Sequence, residues 1–167
     1  MATSTLIQYL EATDTTGAPL PAGVSHRRQV ESYLVTLTNG GGAPATISIP
    51  AGSWMAWDTT QTGANAALFI TEAANVALGN PLVCGVLLSE ASATVPAGSS
   101  VVVKAEVVVA GFVEAEVDGA VVAGSPLTVD TTAGRAHVAV TGDIAICGVA
   151  LAADVANIAP VMVFKQF

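Results

Sequence analysis

The chain has 167 residues, enough for one domain that buries roughly 70% of its unfolded surface. Its net charge of −8 excludes a nucleic-acid binder of the usual kind, because displacing phosphate counterions needs clustered Lys and Arg. The five basic residues, Arg27, Arg28, Lys104, Arg135 and Lys165, form no stripe.

Only 11% of residues are charged, against about 25% in ordinary globular domains, while 52% are hydrophobic and mostly Ala and Val. So few charges point to a subunit that hides part of its exterior against copies of itself or a larger assembly. No membrane span is expected. The most apolar run, Val107 to Val113, is bracketed by Glu106 and Glu114 and is too short to cross a bilayer. The N-terminus has neither a basic n-region nor a long apolar core, so no signal peptide is expected.

In chain order, residues 1–30 read as an extended N-terminal arm. They hold the turn-rich stretch from Thr13 to Gly23 and then the basic trio His26, Arg27 and Arg28. Residues 31–167 read as one β-rich domain. Glu31 to Leu37 alternates and suits a strand, Asn39-Gly40-Gly41-Gly42 a turn, and Thr46 to Ile49 a second strand pairing with the first as a hairpin.

A repeated phrase follows. Ala51-Gly52-Ser53 leads to Asp58-Thr59-Thr60, and Ala123-Gly124-Ser125 leads at the same spacing to Asp130-Thr131-Thr132. Each copy reaches a second shared phrase, Cys84-Gly85-Val86 in one and Cys147-Gly148-Val149 in the other. The repeat predicts two similar β units, each with an extended segment (Trp54–Trp57, Pro126–Val129) between the Ala-Gly-Ser turn and the Asp-Thr-Thr turn. The first copy is longer, with the extra residues placed between Gly63 and Gly79, the one stretch suited to a short helix.

Between the copies, Val101 to Val117 reads as a strand, with Val113, Ala115 and Val117 on one side and Glu114 and Glu116 on the other. After the Asp118-Gly119 turn, Val121-Val122 is expected to return as strand. Ala136–Val140 and Val161–Phe164 complete the set. The expected fold class is therefore all-β: a single β-barrel or sandwich-like domain with an internal pseudo-repeat and an extended N-terminal arm.

Candidate chemistry is sparse, and no catalytic residue, metal ligand or cofactor site is assigned. Glu114 and Glu116 share a strand face, as paired acid/base carboxylates do, but such a pair is more often the solvated side of a half-buried strand. Asp58 and Asp130 offer too few oxygens in a short span for calcium. Asn39-Gly40-Gly41-Gly42 lacks the Lys-Ser/Thr of a phosphate loop. Cys84 and Cys147 sit at equivalent places, which leaves a disulfide open; buried thiols are the preferred reading. Trp54 and Trp57 should point to opposite faces, one to the core and one to an interface. The partner-binding candidates are thus His26, Arg27, Arg28, Trp54 and Trp57.

From Ala51 to Phe164 the order of phrases resembles the capsid decoration (cement) proteins of tailed bacteriophages. The matching phrases are Ala51-Gly52, Gly85-Val86-Leu87-Leu88, Ala97-Gly98, Gly111-Phe112-Val113-Glu114-Ala115-Glu116-Val117, Ala123-Gly124-Ser125-Pro126-Leu127 and Gly148-Val149-Ala150-Leu151. The resemblance implies a structural virion protein, not an enzyme, made in the host cytoplasm and bound to the capsid exterior. Its implied partners are the major capsid protein and itself, commonly as a homotrimer. A head fibre or tail component, or a small carbohydrate-binding module using Trp54 or Trp57, shares these features.

Overall fold

The structure, a computed structural model, describes residues 7–11, 26–73, 81–129 and 132–164, and of residues 7–11, 26 and 27 the backbone alone. No α-helix occurs among the described residues. The strands are β1 (Ile7–Glu11), β2 (His26–Asn39), β3 (Ala45–Ile49), β4 (Trp54–Trp57), β5 (Phe69–Glu72), β6 (Val83–Leu87), β7 (Ala91–Val95), β8 (Ser99–Glu116), β9 (Pro126–Val129), β10 (Ala136–Val138), β11 (Gly148–Ala150) and β12 (Ile158–Val163). A 3-10 turn, Gly63–Ala67, precedes β5.

Five of these strands close a mixed barrel in the order β2-β5-β4-β6-β8, because β2 pairs with β8 from Arg28↔Gly111 to Asn39↔Ser99. The β2–β5 pairing is parallel and the others are antiparallel. β8 is long enough to serve twice. Its first part closes the barrel, and its last part starts a second curled sheet, β8-β12-β11-β9-β10. Val117, just past β8, bridges Ala136 of β10 in parallel and brings the second sheet nearly round on itself.

The repeat in the sequence is a repeat of connectivity. In the first copy β4 lies between β5 and β6, and in the second β9 lies between β10 and β11, all antiparallel. Backbone bonds match position for position. Gly52 N donates to Leu87 O at 2.9 Å, and Gly124 N donates to Ala150 O at 2.8 Å. Leu87 N donates to Ser53 O at 2.8 Å, and Ala150 N to Ser125 O at 2.9 Å. Gly52 and Gly124 both turn through positive φ, at +89° and +85°, which explains glycine in both Ala-Gly-Ser turns.

The Cys-Gly glycines have a common cause too. A Cβ on Gly85 would collide with the Val108 carbonyl of β8, and one on Gly148 would lie 2.7 Å from the Met162 carbonyl of β12. Close approach of the next strand leaves room for hydrogen alone.

Two cores result. One fills the barrel and contains Tyr33, Val35, Leu37, Met55, Cys84, Leu87 and Val107. The other lies between the curled sheet and the outside of the barrel, and contains Trp54, Val86, Val108, Leu127, Cys147 and Val161. β4 and β6 feed both cores, so every residue of β6 is buried. The pure Val-Cys-Gly-Val-Leu composition of β6 follows from burial on both faces.

Two expectations are corrected. Residues 31–49 do not form a hairpin: β2 pairs with β8, and β3 pairs with β7 as a separate two-stranded sheet. The Gly40–Gly42 turn does form, organised by Asn39, whose Nδ2 donates to Ala43 O (2.8 Å) and Val95 O (3.0 Å). Val121-Val122 is a loop, with Val121 buried and Val122 exposed. Strand structure also reaches into the segment read as an arm, since β2 starts at His26 and its first residues pair with β1.

Candidate functional site

Of the predicted partner-binding residues, His26, Arg27 and Arg28 stand on β2, with backbones opposite Glu11, Leu10 and Tyr9 of β1. The side chains of His26 and Arg27 lie outside the described residues; that of Arg28 is half-buried. The trio is part of a sheet strand.

The tryptophans do point to opposite faces. Trp54 is fully buried in the second core and its Nε1 donates to Glu116 O at 3.0 Å. It is therefore a structural bridge between the two units and does not reach the surface of the chain. Trp57 packs on the barrel core, edge-on to Tyr33 with ring centroids 5.1 Å apart, and is half-buried.

The polar candidates separate in the same way. Asp58 Oδ1 accepts from Thr60 N at 3.0 Å and Thr60 Oγ1 at 2.6 Å, and Gln61 Nε2 donates to Asp58 Oδ2 at 2.9 Å. The Thr60 hydroxyl bond, helped by Gln61, holds this carboxyl below its ordinary range. The Asp-Thr-Thr phrase is thus turn chemistry in the first copy; Asp130 and Thr131 of the second lie outside the described residues.

Glu114 is exposed on β8, while Glu116 accepts from Arg135 Nε at 3.2 Å. Glu72 sits near Glu116 at the seam between the units. Burial first, and the Glu116 charge second, push its carboxyl above the usual range. No group of three or more His, Cys, Asp or Glu suited to a metal ion occurs among the described residues. Cys84 and Cys147 are both free and buried, one in each core. Burial pushes each thiol up to about 12.

What the structure assembles is an apolar exterior on the second unit. Register places Phe112 opposite Met162, Met162 opposite Val149, and Val149 opposite Pro126, a row crossing β8, β12, β11 and β9. Phe112, Met162 and Val149 are half-buried and Pro126 is exposed. On the neighbouring row Glu114 faces Pro160, whose carbonyl accepts from Leu151 N at 2.8 Å. Leu151 and Phe164 are exposed at the margins. Sequence reading missed this face because its members come from four separate segments. The hints were the alternation in Ile158-x-Pro160-x-Met162 and the low charge of the whole chain.

Such a face suits association with another protein surface: few charges, medium-sized side chains and a rigid sheet beneath. No protein-family model and no curated protein matches this chain.

Proposed function

We propose that this chain is a structural virion protein that binds the exterior of a bacteriophage capsid shell and bridges major capsid protein subunits. The observation that carries the reading is the row Met162, Val149 and Pro126 on the outer face of the second sheet, backed by a doubly supported β scaffold. An apolar row on rigid strands gains contact area on docking with little ordering cost. The shared strand β8 suits a mechanical role as well, because a pull on either unit is borne by strand ladders on both sides of it. The phrase order from Ala51 to Phe164 adds the resemblance to capsid decoration proteins.

In this role the chain contributes buried contact across junctions between shell subunits and raises the barrier to rupture under packaged DNA. Copies of the chain associate as trimers at three-fold positions of the shell. The test is addition of the purified chain to DNA-filled heads that lack it. Saturable binding with a higher temperature of DNA release supports the reading; heads that neither bind the chain nor change their release temperature overturn it.

A further inference from the structure

The two units differ at one end, and the difference exposes a surface. In the first unit, β3 runs directly into Pro50 and β7 begins shortly after Leu88, so the β3–β7 ribbon covers that end of the barrel with Ile49, Ala91 and Val95. The matching positions in the second unit are Val122 and Leu151. Ser53 N donates to Pro50 O as Ser125 N donates to Val122 O, and Leu88 N donates to Glu106 O as Leu151 N donates to Pro160 O. Among the described residues no ribbon stands on them. Val122 is 62% exposed, Leu151 45% and Val155 78%. The two loops that carry them are tied to each other, since Asp154 N donates to Val121 O and Val121 N to Asp154 Oδ1.

A second observation points to the same place. Val155 and Ile158 exchange backbone bonds of 2.8 and 3.1 Å across a two-residue turn, in which Ala156 and Asn157 both take positive φ, +52° and +65°. Alanine at positive φ is strained, at a cost of roughly 1–2 kcal/mol, and the turn that bears this strain carries Val155, the most exposed of the described large hydrophobic residues. The loops forming this end, residues 118–122 and 151–157, contain Asp118 and Asp154 and no Lys or Arg. Glu114 lies on the adjoining face.

We infer that this uncovered end is the seat for an apolar β-segment of the shell protein, flanked by lysine or arginine. It takes the place that β3–β7 fills in the first unit. The inference rests on the reading above and deepens it. A second copy of the chain is the poorer occupant of this acidic end, because a chain of net charge −8 with five basic residues has few cations to set against these carboxylates.

The test compares retention by DNA-filled heads lacking the chain for three proteins: wild type, the double variant Leu151→Asp/Val155→Asp, and Val102→Asp, a control on the outer face of the barrel. Circular dichroism checks folding, and Leu151→Ser/Val155→Ser replaces the first variant should it not fold. The expected result is a loss of about 30-fold or more in the double variant, the scale of a small hot spot. The control stays at wild-type affinity, and wild-type retention weakens as salt is raised. A double variant retained like wild type, or retention indifferent to salt, overturns the inference and leaves the functional reading standing. Heads that do not retain wild type overturn the reading and this partner with it. Sedimentation supplies one more outcome: if the double substitution dissociates a wild-type oligomer, a second copy covers this end and the inference fails.

Discussion

Trp54 and Gly148 belong to different copies of the repeat and meet in the second core: a Cβ added to Gly148 would stand 3.1 Å from the Trp54 ring. The same indole donates to Glu116 O, so one side chain of the first unit fills and ties down the second. Trp54→Phe should cost about 1–3 kcal/mol, because it leaves that carbonyl without its donor. Trp54→Ala adds a cavity and should cost about 3–5 kcal/mol. Urea unfolding followed by far-UV circular dichroism checks both; midpoints unchanged from wild type would remove Trp54 from its bridging role.

Gly148→Ala should destabilise the chain by about 1–3 kcal/mol, the usual range for overpacking a filled core. Gly85→Ala should cost more, since its Cβ would press harder on a backbone carbonyl, that of Val108, than a Cβ on Gly148 presses on Met162, and Gly85 also takes positive φ. Gly124→Ala tests another cause at the matching turn. No atom lies within 4 Å of its Cβ, so its cost of about 1 kcal/mol comes from the positive φ alone. Equal losses at all three positions would contradict this division.

The cysteines give a pH dependence. Both thiols are raised from 9.0 to about 12 by burial, and Tyr33 is raised as well, by burial first and its bond to the Glu31 carboxylate second. A raised pKa means that the folded chain holds its proton more tightly than the unfolded chain. Stability is therefore full below pH 9 and falls as pH rises from about 9 towards 12. Unfolding midpoints measured across that window should decline. Each thiol should resist alkylation at pH 8 in the native chain and react when it is unfolded, and no Cys84–Cys147 disulfide should form, since the two occupy separate cores.

Ala156→Gly should stabilise the chain by about 1 kcal/mol, because glycine accepts positive φ without the alanine penalty. A rise in unfolding midpoint is the expected reading. A fall would mean that the alanine methyl makes a compensating contact.

Much of this architecture is legible in the residues. The repeated Ala-Gly-Ser and Cys-Gly phrases mark the matching turns and the matching close approaches, and the tryptophans three apart do face opposite cores. Strand partners are not legible. Alternation in Glu31–Leu37 fixes which face is buried, yet nothing local says that Thr38 pairs with Ser100 rather than with the nearby Thr46–Ile49 strand. The apolar row and the uncovered end were hidden for the same reason: the loops that carry Val122, Leu151 and Val155 are joined by hydrogen bonds between segments distant in the sequence.

The most direct measurement of the central claim is a reconstruction of the phage particle proposed to carry this chain. The account predicts density for two fused β units on the outside of the shell, lying across junctions between capsid subunits, with the Val122–Leu151–Val155 end against the shell. A shell exterior with no such density would contradict it.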